Sequence, residues 1–322
     1  MKRQIYIHPY TLRSRDSLNA KSKRVEHEGV LIRVEGDRGY GYGCIHPWPE
    51  LGDYPLDQTL GMLCSGELVP LSQRALYCVE VDMMARSENR SLFDGLAVPR
   101  SHATLEMNEG SLSATVDAGF QIVKLKVGRD PVAETDFIRE ASGRFPDLVW
   151  RLDFNHVMDD RAVVKFLGAL GDDVRDKIDF IEDAYPSESS PWVNALGPFD
   201  VPMAVDREVE DACGGFGVAI IKPAINDPGP ILERALDETR RCVFTSYMDH
   251  PLGQAFAAWE AARALQQFPD MVDTCGLITH GLFEANAFTE ALGVPGPDFY
   301  SPAGTGLGFD HLLEDLSWKP LK

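Results

Sequence analysis

Two textures of hydrophobic patterning divide the chain near residue 99. In the first part Val30-Leu31-Ile32-Arg33-Val34 reads as a strand, and Asp37-Arg38-Gly39 as a turn into a second strand through Tyr40 and Tyr42. His46-Pro47-Trp48-Pro49 then breaks regularity, because proline has no N–H to give to a ladder. From Leu71 to Arg86 the apolar positions recur at helical spacing. Together these predict a small α+β unit over residues 1–98, completed by the C-terminal segment 300–322.

Beyond Pro99 short apolar runs alternate with amphipathic stretches. The predicted strands are Ala103–Leu105, Ile122–Val127, Val149–Phe154, Phe180–Glu182, Met203–Val205, Ala219–Lys222, Cys242–Ser246 and Asp273–Ile278. Helical patterns at Pro131–Arg144, Asp227–Thr239 and Leu252–Gln267 fall between them. Eight β-runs with intervening helices predict an α/β fold, a (β/α)₈-type barrel over residues 99–299. The α+β unit would act as its N-terminal cap.

Composition narrows the partners. Hydrophobic residues make up 44% and charged residues 25% of the 322-residue chain, which suits a globular protein. Fifty acidic residues against 31 basic ones give a formal net charge of −19. Such a surface repels nucleic-acid phosphate and anionic lipid, so neither is an expected partner. No apolar stretch approaches the roughly 18–20 residues that cross a bilayer, and no signal-peptide core follows the basic opening. The cysteines, Cys44, Cys64, Cys78, Cys213, Cys242 and Cys275, form no C-x-x-C pair, so reduced thiols and a cytoplasmic location are expected.

Against this background, charged residues close otherwise apolar strands. Lys124 and Lys126 share one strand face, as do Arg151, Asp153 and Asn155. Glu182, Asp206 and Lys222 end the next three runs. Taken singly, a Lys-x-Lys is usually a solvated edge and an Asp after a strand usually a helix cap. Their order, two lysines, three carboxylates on successive strands and one lysine, is what a barrel active site requires. Three hard carboxylates suit Mg²⁺, with Mn²⁺ as a substitute, and without a cation they would raise each other's pKa. A cation there stabilises the enolate formed when the carbon beside a substrate carboxylate loses its proton. Lysine is normally too basic for that abstraction, but a neighbouring ammonium depresses its pKa, which makes Lys126 beside Lys124 the candidate base. Lys222 would face the reacting centre from the other side.

The residues Lys124-Leu125-Lys126, Asp153-Phe154-Asn155, Ile181-Glu182-Asp183, Val205-Asp206 and Ile221-Lys222-Pro223 resemble the enolase superfamily, in its muconate-lactonizing-enzyme-like subgroup. Within that subgroup the chain is most similar to the o-succinylbenzoate synthase family. The likeness extends to Gly29-Val30-Leu31-Ile32, Pro47-Trp48-Pro49, Arg151, Thr245-Ser246-Tyr247 and Gly281-Leu282. It departs where the family's third ligand is followed by Glu and this chain has Asp206-Arg207-Glu208, leaving Glu208 or Arg207 to fill that place. A second departure is Gly43-Cys44, where the family has Gly-Glu.

The resemblance implies a Mg²⁺-assisted lyase, held by Asp153, Glu182 and Asp206, that dehydrates a cyclohexadiene dicarboxylate towards menaquinone. It makes Lys126 the base, Lys222 the cation over the opposite face and Lys124 a substrate-carboxylate contact. Arg151, Asn155, Glu208, Ser246 and Gly281 would line or support the site. The loop between Arg13 and Arg24 would be a lid and His46–Pro49 a second wall. A racemase of N-acylamino acids would use the same residues, and a barrel that binds without catalysis would be marked by loss of one of them. The dipeptide epimerases of the subgroup carry an Asp-x-Asp on the eighth strand, and none occurs between Asp273 and Glu284. The runs Gly39–Gly43 and Gly304–Gly308 do not open a helix after a strand, so neither predicts a dinucleotide site; the second could line the barrel mouth.

Overall fold

The computed structural model describes residues 4–15, 18, 24–186, 192, 196–212 and 214–322. A four-stranded antiparallel sheet comprises β1 (Gln4–Arg13), β2 (Glu26–Gly36), β3 (Gly39–Ile45) and, from the far end of the chain, β11 (Lys319–Pro320). Its order is β11-β1-β2-β3. The sequence pattern found β2 and β3 but missed β1. Most of β1 is exposed or half-buried, and it carries Pro9 against Val30, so it shows no clean apolar alternation.

The helix Pro70–Ser87 lies across this sheet, and glycines set how closely it packs. A Cβ on Gly41 would stand 2.2 Å from the carbonyl of Val79, and one on Gly43 2.5 Å from that of Ala75. The alternating Gly-Tyr-Gly-Tyr-Gly run thus gives one strand face to the helix backbone and turns Tyr42 into the core on the other. The same helix anchors the other glycine run. Buried Asp82 accepts the N–H groups of Tyr42 (2.9 Å) and Leu307 (2.7 Å), while Arg86 holds Asp82, Asp310 and the carbonyl of Gly308. Gly304–Gly308 is therefore a strap fastened to the cap helix instead of a lining of the barrel mouth.

Seven parallel strands follow: β4 (Ala103–Leu105), β5 (Ile122–Lys126), β6 (Val149–Asp153), β7 (Ile178–Glu182), β8 (Met203–Val205), β9 (Val218–Ile221) and β10 (Arg241–Phe244). The eighth predicted run, Asp273–Ile278, is not a regular strand. It closes the ring through single parallel bridges, Cys275 to Ser101 on one side and Gly276 to Thr245 on the other. The glycine there is forced, since a Cβ on Gly276 would meet His102 and Thr245 at 2.8 Å. The result is a barrel of (β/α)₈ type with an α+β cap, as the patterning predicted. No described helix is long and apolar enough to cross a membrane.

Proline starts several barrel helices and makes their onsets sharp. Pro131, Pro228 and Pro251 each open a helix whose cap, Asp130, Asp227 or His250, accepts a backbone N–H. Inside the barrel, residues two apart share a face, so Phe180, Ala204, Val218, Ile220 and Val243 form an apolar plug below Glu182, Asp206 and Lys222. We expect Gly41→Ala to destabilise the fold by about 1–3 kcal/mol through overpacking against the cap helix. Denaturant unfolding measures this, and unchanged stability would show that helix and strand are not in close contact.

Candidate active site

Register brings the polar strand ends together. Lys126 pairs with Asp153, and Asp153 with Glu182, across β5, β6 and β7. Asp206 follows β8 and Lys222 follows β9 directly. All six predicted residues thus stand at the C-terminal rim, where a barrel of this type carries its chemistry. The rim backbone is unusual: Asn155, His156, Asp183 and Glu208 have positive φ between 46° and 57°. Non-glycine residues in that region are strained and concentrate at functional sites.

The charges are interleaved. Lys124 Nζ lies 2.6 Å from Glu182 Oε1 and 2.9 Å from Asp153 Oδ2, and Lys222 Nζ lies 2.5 Å from Asp206 Oδ2. Lys126 makes neither ion pair; its Nζ donates to the carbonyl of Leu18 at 2.9 Å. Asn155 fixes Asp153, donating to Oδ1 from Nδ2 (2.7 Å) and from its backbone (3.1 Å).

These contacts separate the lysines chemically. Burial opposes charge on Lys124, yet Asp153, Glu182 and Asp206 outweigh it and hold the ammonium well above its ordinary value. Burial also pushes Lys126 down, the ammoniums of Lys124 and Lys222 add to that, and the carboxylates only partly offset it. The amine of Lys126 is therefore the easier of the two to hold neutral. On the acidic side, burial and the carboxylates of Asp153, Asp206 and Asp183 push Glu182 up to about 8. Burial together with Asp206 and Asp153 raises Asp183 to about 7.

Such crowding is the electrostatic signature of a cation site. Among the described residues no three His, Cys, Asp or Glu side chains converge as a ready cage, because Lys124 and Lys222 stand among the carboxylates. The donor set nevertheless fits a hard divalent ion. Three oxygen ligands come from three adjacent strands, and the buried Asp206 Oδ1 has no hydrogen-bond partner.

The supporting residues sort differently from expectation. Asn155 touches the cluster. Arg151 does not line the site: fully buried below it, Arg151 binds Asp179 (2.7 Å), His102 (2.8 Å) and the carbonyl of Thr274 (2.7 Å). Its position two residues before Asp153 places it one layer deeper in the barrel. Glu208 is exposed and does not replace the expected glutamate. Arg207 reaches inward, with Nε 3.5 Å from Asp183 Oδ2 and Nη2 3.4 Å from Asn155 Oδ1. Ser246 is buried against Thr279 (Oγ–Oγ1 2.6 Å), and Gly281 makes room for Pro295. Neither is joined to the lysine–carboxylate cluster by a hydrogen bond or ion pair among the described residues. Most of the expected lid, residues 16–17 and 19–23, lies outside the described residues. The segment expected as a second wall is tied to the barrel: Trp48 Nε1 donates to the carbonyl of Tyr247 (2.8 Å), and Asp53 accepts from both Trp48 N and Tyr247 OH.

Sequence reasoning passed over Asp183, which resembles an ordinary loop start after Glu182. Almost entirely buried, it accepts the N–H of Asp206 (3.1 Å) and the charge of Arg207. Its signal was the doubled acid at a strand end.

The capped barrel is a fold shared with solved muconate-lactonizing and dipeptide-epimerase enzymes. Muconate lactonizing enzyme from Pseudomonas putida has the same fold, with a TM-score of 0.74 at 14% identity over 97% of this chain and 99% of that one. So has dipeptide epimerase from Enterococcus faecalis V583, solved with Mg and the dipeptide L-Leu-L-Tyr, with a TM-score of 0.79 at 17% identity over 96% of this chain and 99% of that one. Residues 5–85 match the family described as o-succinylbenzoate synthase, N-terminal domain. An o-succinylbenzoate synthase from Bdellovibrio bacteriovorus is 33% identical, with 99% of each chain covered. The chain belongs to the o-succinylbenzoate synthase family, and it is an enzyme of the lyase type.

If the cluster takes the hard divalent ion that its donors fit, replacement of Asp183 by Ala should weaken that binding roughly 10–100-fold, because Asp183 holds the Asp206 N–H from behind. Calorimetric titration with Mg²⁺ measures this, and an unchanged affinity would make Asp183 a bystander.

Proposed function

We propose that the chain dehydrates 2-succinyl-6-hydroxy-2,4-cyclohexadiene-1-carboxylate to o-succinylbenzoate, a step towards menaquinone. The observation that carries the reading is the pair Lys126 and Lys222, on strands four apart around one carboxylate cluster. The curated relative's name supports the substrate, and the E. faecalis neighbour solved with Mg supports the ion.

In this reading Asp153, Glu182 and Asp206 hold Mg²⁺, which when bound supplies Lewis-acid stabilisation of the negative charge that develops at the substrate carboxylate. Lys126, its amine pushed towards neutrality by burial and by Lys124, takes the proton from the carbon beside that carboxylate. The C–H electron pair passes into the enolate. Lys126 then returns the proton to the departing hydroxyl on the same face, the C–O bond breaks, and water leaves. Lysine is regenerated, one water is lost, and the ring becomes aromatic. Lys222 lies over the opposite face and stabilises the flat enolate. Lys124 stays charged and balances Asp153 and Glu182. The described cysteines form no disulfide, which supports action in a reducing cytoplasm.

Racemisation of N-succinylamino acids would need the same two lysines, each exchanging a proton from its own side. Purified protein with Mg²⁺ should form o-succinylbenzoate from the cyclohexadiene substrate; brisk racemisation of N-succinylamino acids without dehydration would reverse the assignment. Lys126→Ala and Lys222→Ala should each abolish turnover while calorimetry still records Mg²⁺ binding. Full activity in either variant would remove the two-lysine mechanism.

A further inference from the structure

The turn that carries Lys222 is fixed locally on one side. Ile225 N and Asn226 N both donate to the carbonyl of Lys222 (2.9 and 2.8 Å), and Asn226 Oδ1 accepts the N–H of Lys222 (2.9 Å). The next carbonyl, that of Pro223, points out of this turn and is taken by a residue from the other domain. Arg74, on the cap helix Pro70–Ser87, donates to it from Nε at 2.9 Å.

Arg74 is itself held from three directions. Its Nη2 lies 2.5 Å from Glu260 Oε1 on the barrel helix Pro251–Gln267, and both side chains are less than a tenth exposed. Its guanidinium sits 4.6 Å from the Tyr77 ring and 5.4 Å from the Phe256 ring. Arg263 donates both to Glu260 Oε2 (3.3 Å) and to Tyr77 OH (3.2 Å). Arg74, Tyr77, Glu260 and Arg263 line one side of a cleft of about 430 Å³ between the cap helix and two barrel helices. The planar guanidinium serves the carbonyl from Nε and the carboxylate from Nη2 at a fixed spacing, which the single nitrogen of lysine reproduces only in part.

We infer that Arg74 is a positioning residue for Lys222: by holding the Pro223 carbonyl from the cap, it makes the placement of the far-face ammonium depend on how the cap is docked. This rests on the role proposed for Lys222. A displacement of the order of an ångström in such a group costs rate much more than substrate affinity.

The test is steady-state dehydration by the full chain with Mg²⁺, comparing Arg74→Met, Arg74→Lys, Glu260→Gln, Arg86→Met and Lys222→Ala. Arg74→Met should lower kcat roughly 10–100-fold with KM little changed, as expected for a misplaced group. Glu260→Gln should cause a smaller loss in kcat of the same kind, and Arg74→Lys should recover part of the rate. Arg86→Met cuts the strap on the same helix, so it should lower the melting temperature and leave kcat near wild type. Unchanged kcat in Arg74→Met, or an equal kcat loss in Arg86→Met, would overturn the inference and assign Arg74 to general stability. Should Arg74→Met fail to fold, Glu260→Gln decides alone, and an unchanged kcat there has the same meaning. Full turnover in Lys222→Ala would instead overturn the reading of the site itself, which separates the two failures.

Discussion

Everything at the barrel mouth depends on one constraint: three buried carboxylates, Asp153, Glu182 and Asp183, and the half-buried Asp206 cannot share so small a space unless positive charge is threaded among them. Lys124 between Asp153 and Glu182, Lys222 on Asp206 and Arg207 on Asp183 supply that charge. The constraint also explains the division of labour. A lysine inside the carboxylate cluster is locked as an ammonium, whereas Lys126, buried beside two ammoniums and hydrogen-bonded to the Leu18 carbonyl, is the one pushed towards neutrality. Two lysines on one strand, two residues apart, thereby become chemically different groups.

The cap depends on buried polar junctions in a similar way. Asp82 and Arg86 join the cap helix to the C-terminal strap, Trp48 and Asp53 tie the cap to Tyr247 after β10, and Arg74 reaches the turn beyond Lys222. The first junction holds the cap together, and the other two cross from cap to barrel, so the orientation of the cap is specified as well as its attachment. The overall charge of −19 describes the outer surface, whereas the cluster gathers lysines and an arginine among its carboxylates, a setting suited to an anionic substrate.

The barrel strands were readable from sequence as short apolar runs, which is why β4 and β8 have the predicted limits and β5, β6, β7, β9 and β10 differ by one or two residues at their ends. The period-two rule then brought Lys124, Lys126, Asp153, Glu182, Asp206 and Lys222 to one rim. What the pattern missed depends on tertiary context. The half-exposed β1 gains its identity only from pairing with β2 and β11. Asp183 and Arg207 acquire a role only when strands β6 to β8 set them side by side, and Arg151 shares a face with Asp153 yet sits a layer too deep to meet a ligand. A face can be assigned from alternation; depth along the barrel axis requires the register.

The proposed chemistry rests on a spatial arrangement: one cation among three carboxylates, with a lysine on each face of the substrate ring. A crystal structure of the protein with Mn²⁺ and o-succinylbenzoate, read by anomalous scattering, tests it directly. A single strong peak is expected among Asp153, Glu182 and Asp206, with the product ring between Lys126 and Lys222. A metal held elsewhere, or a ring with both lysines on one side, would contradict it.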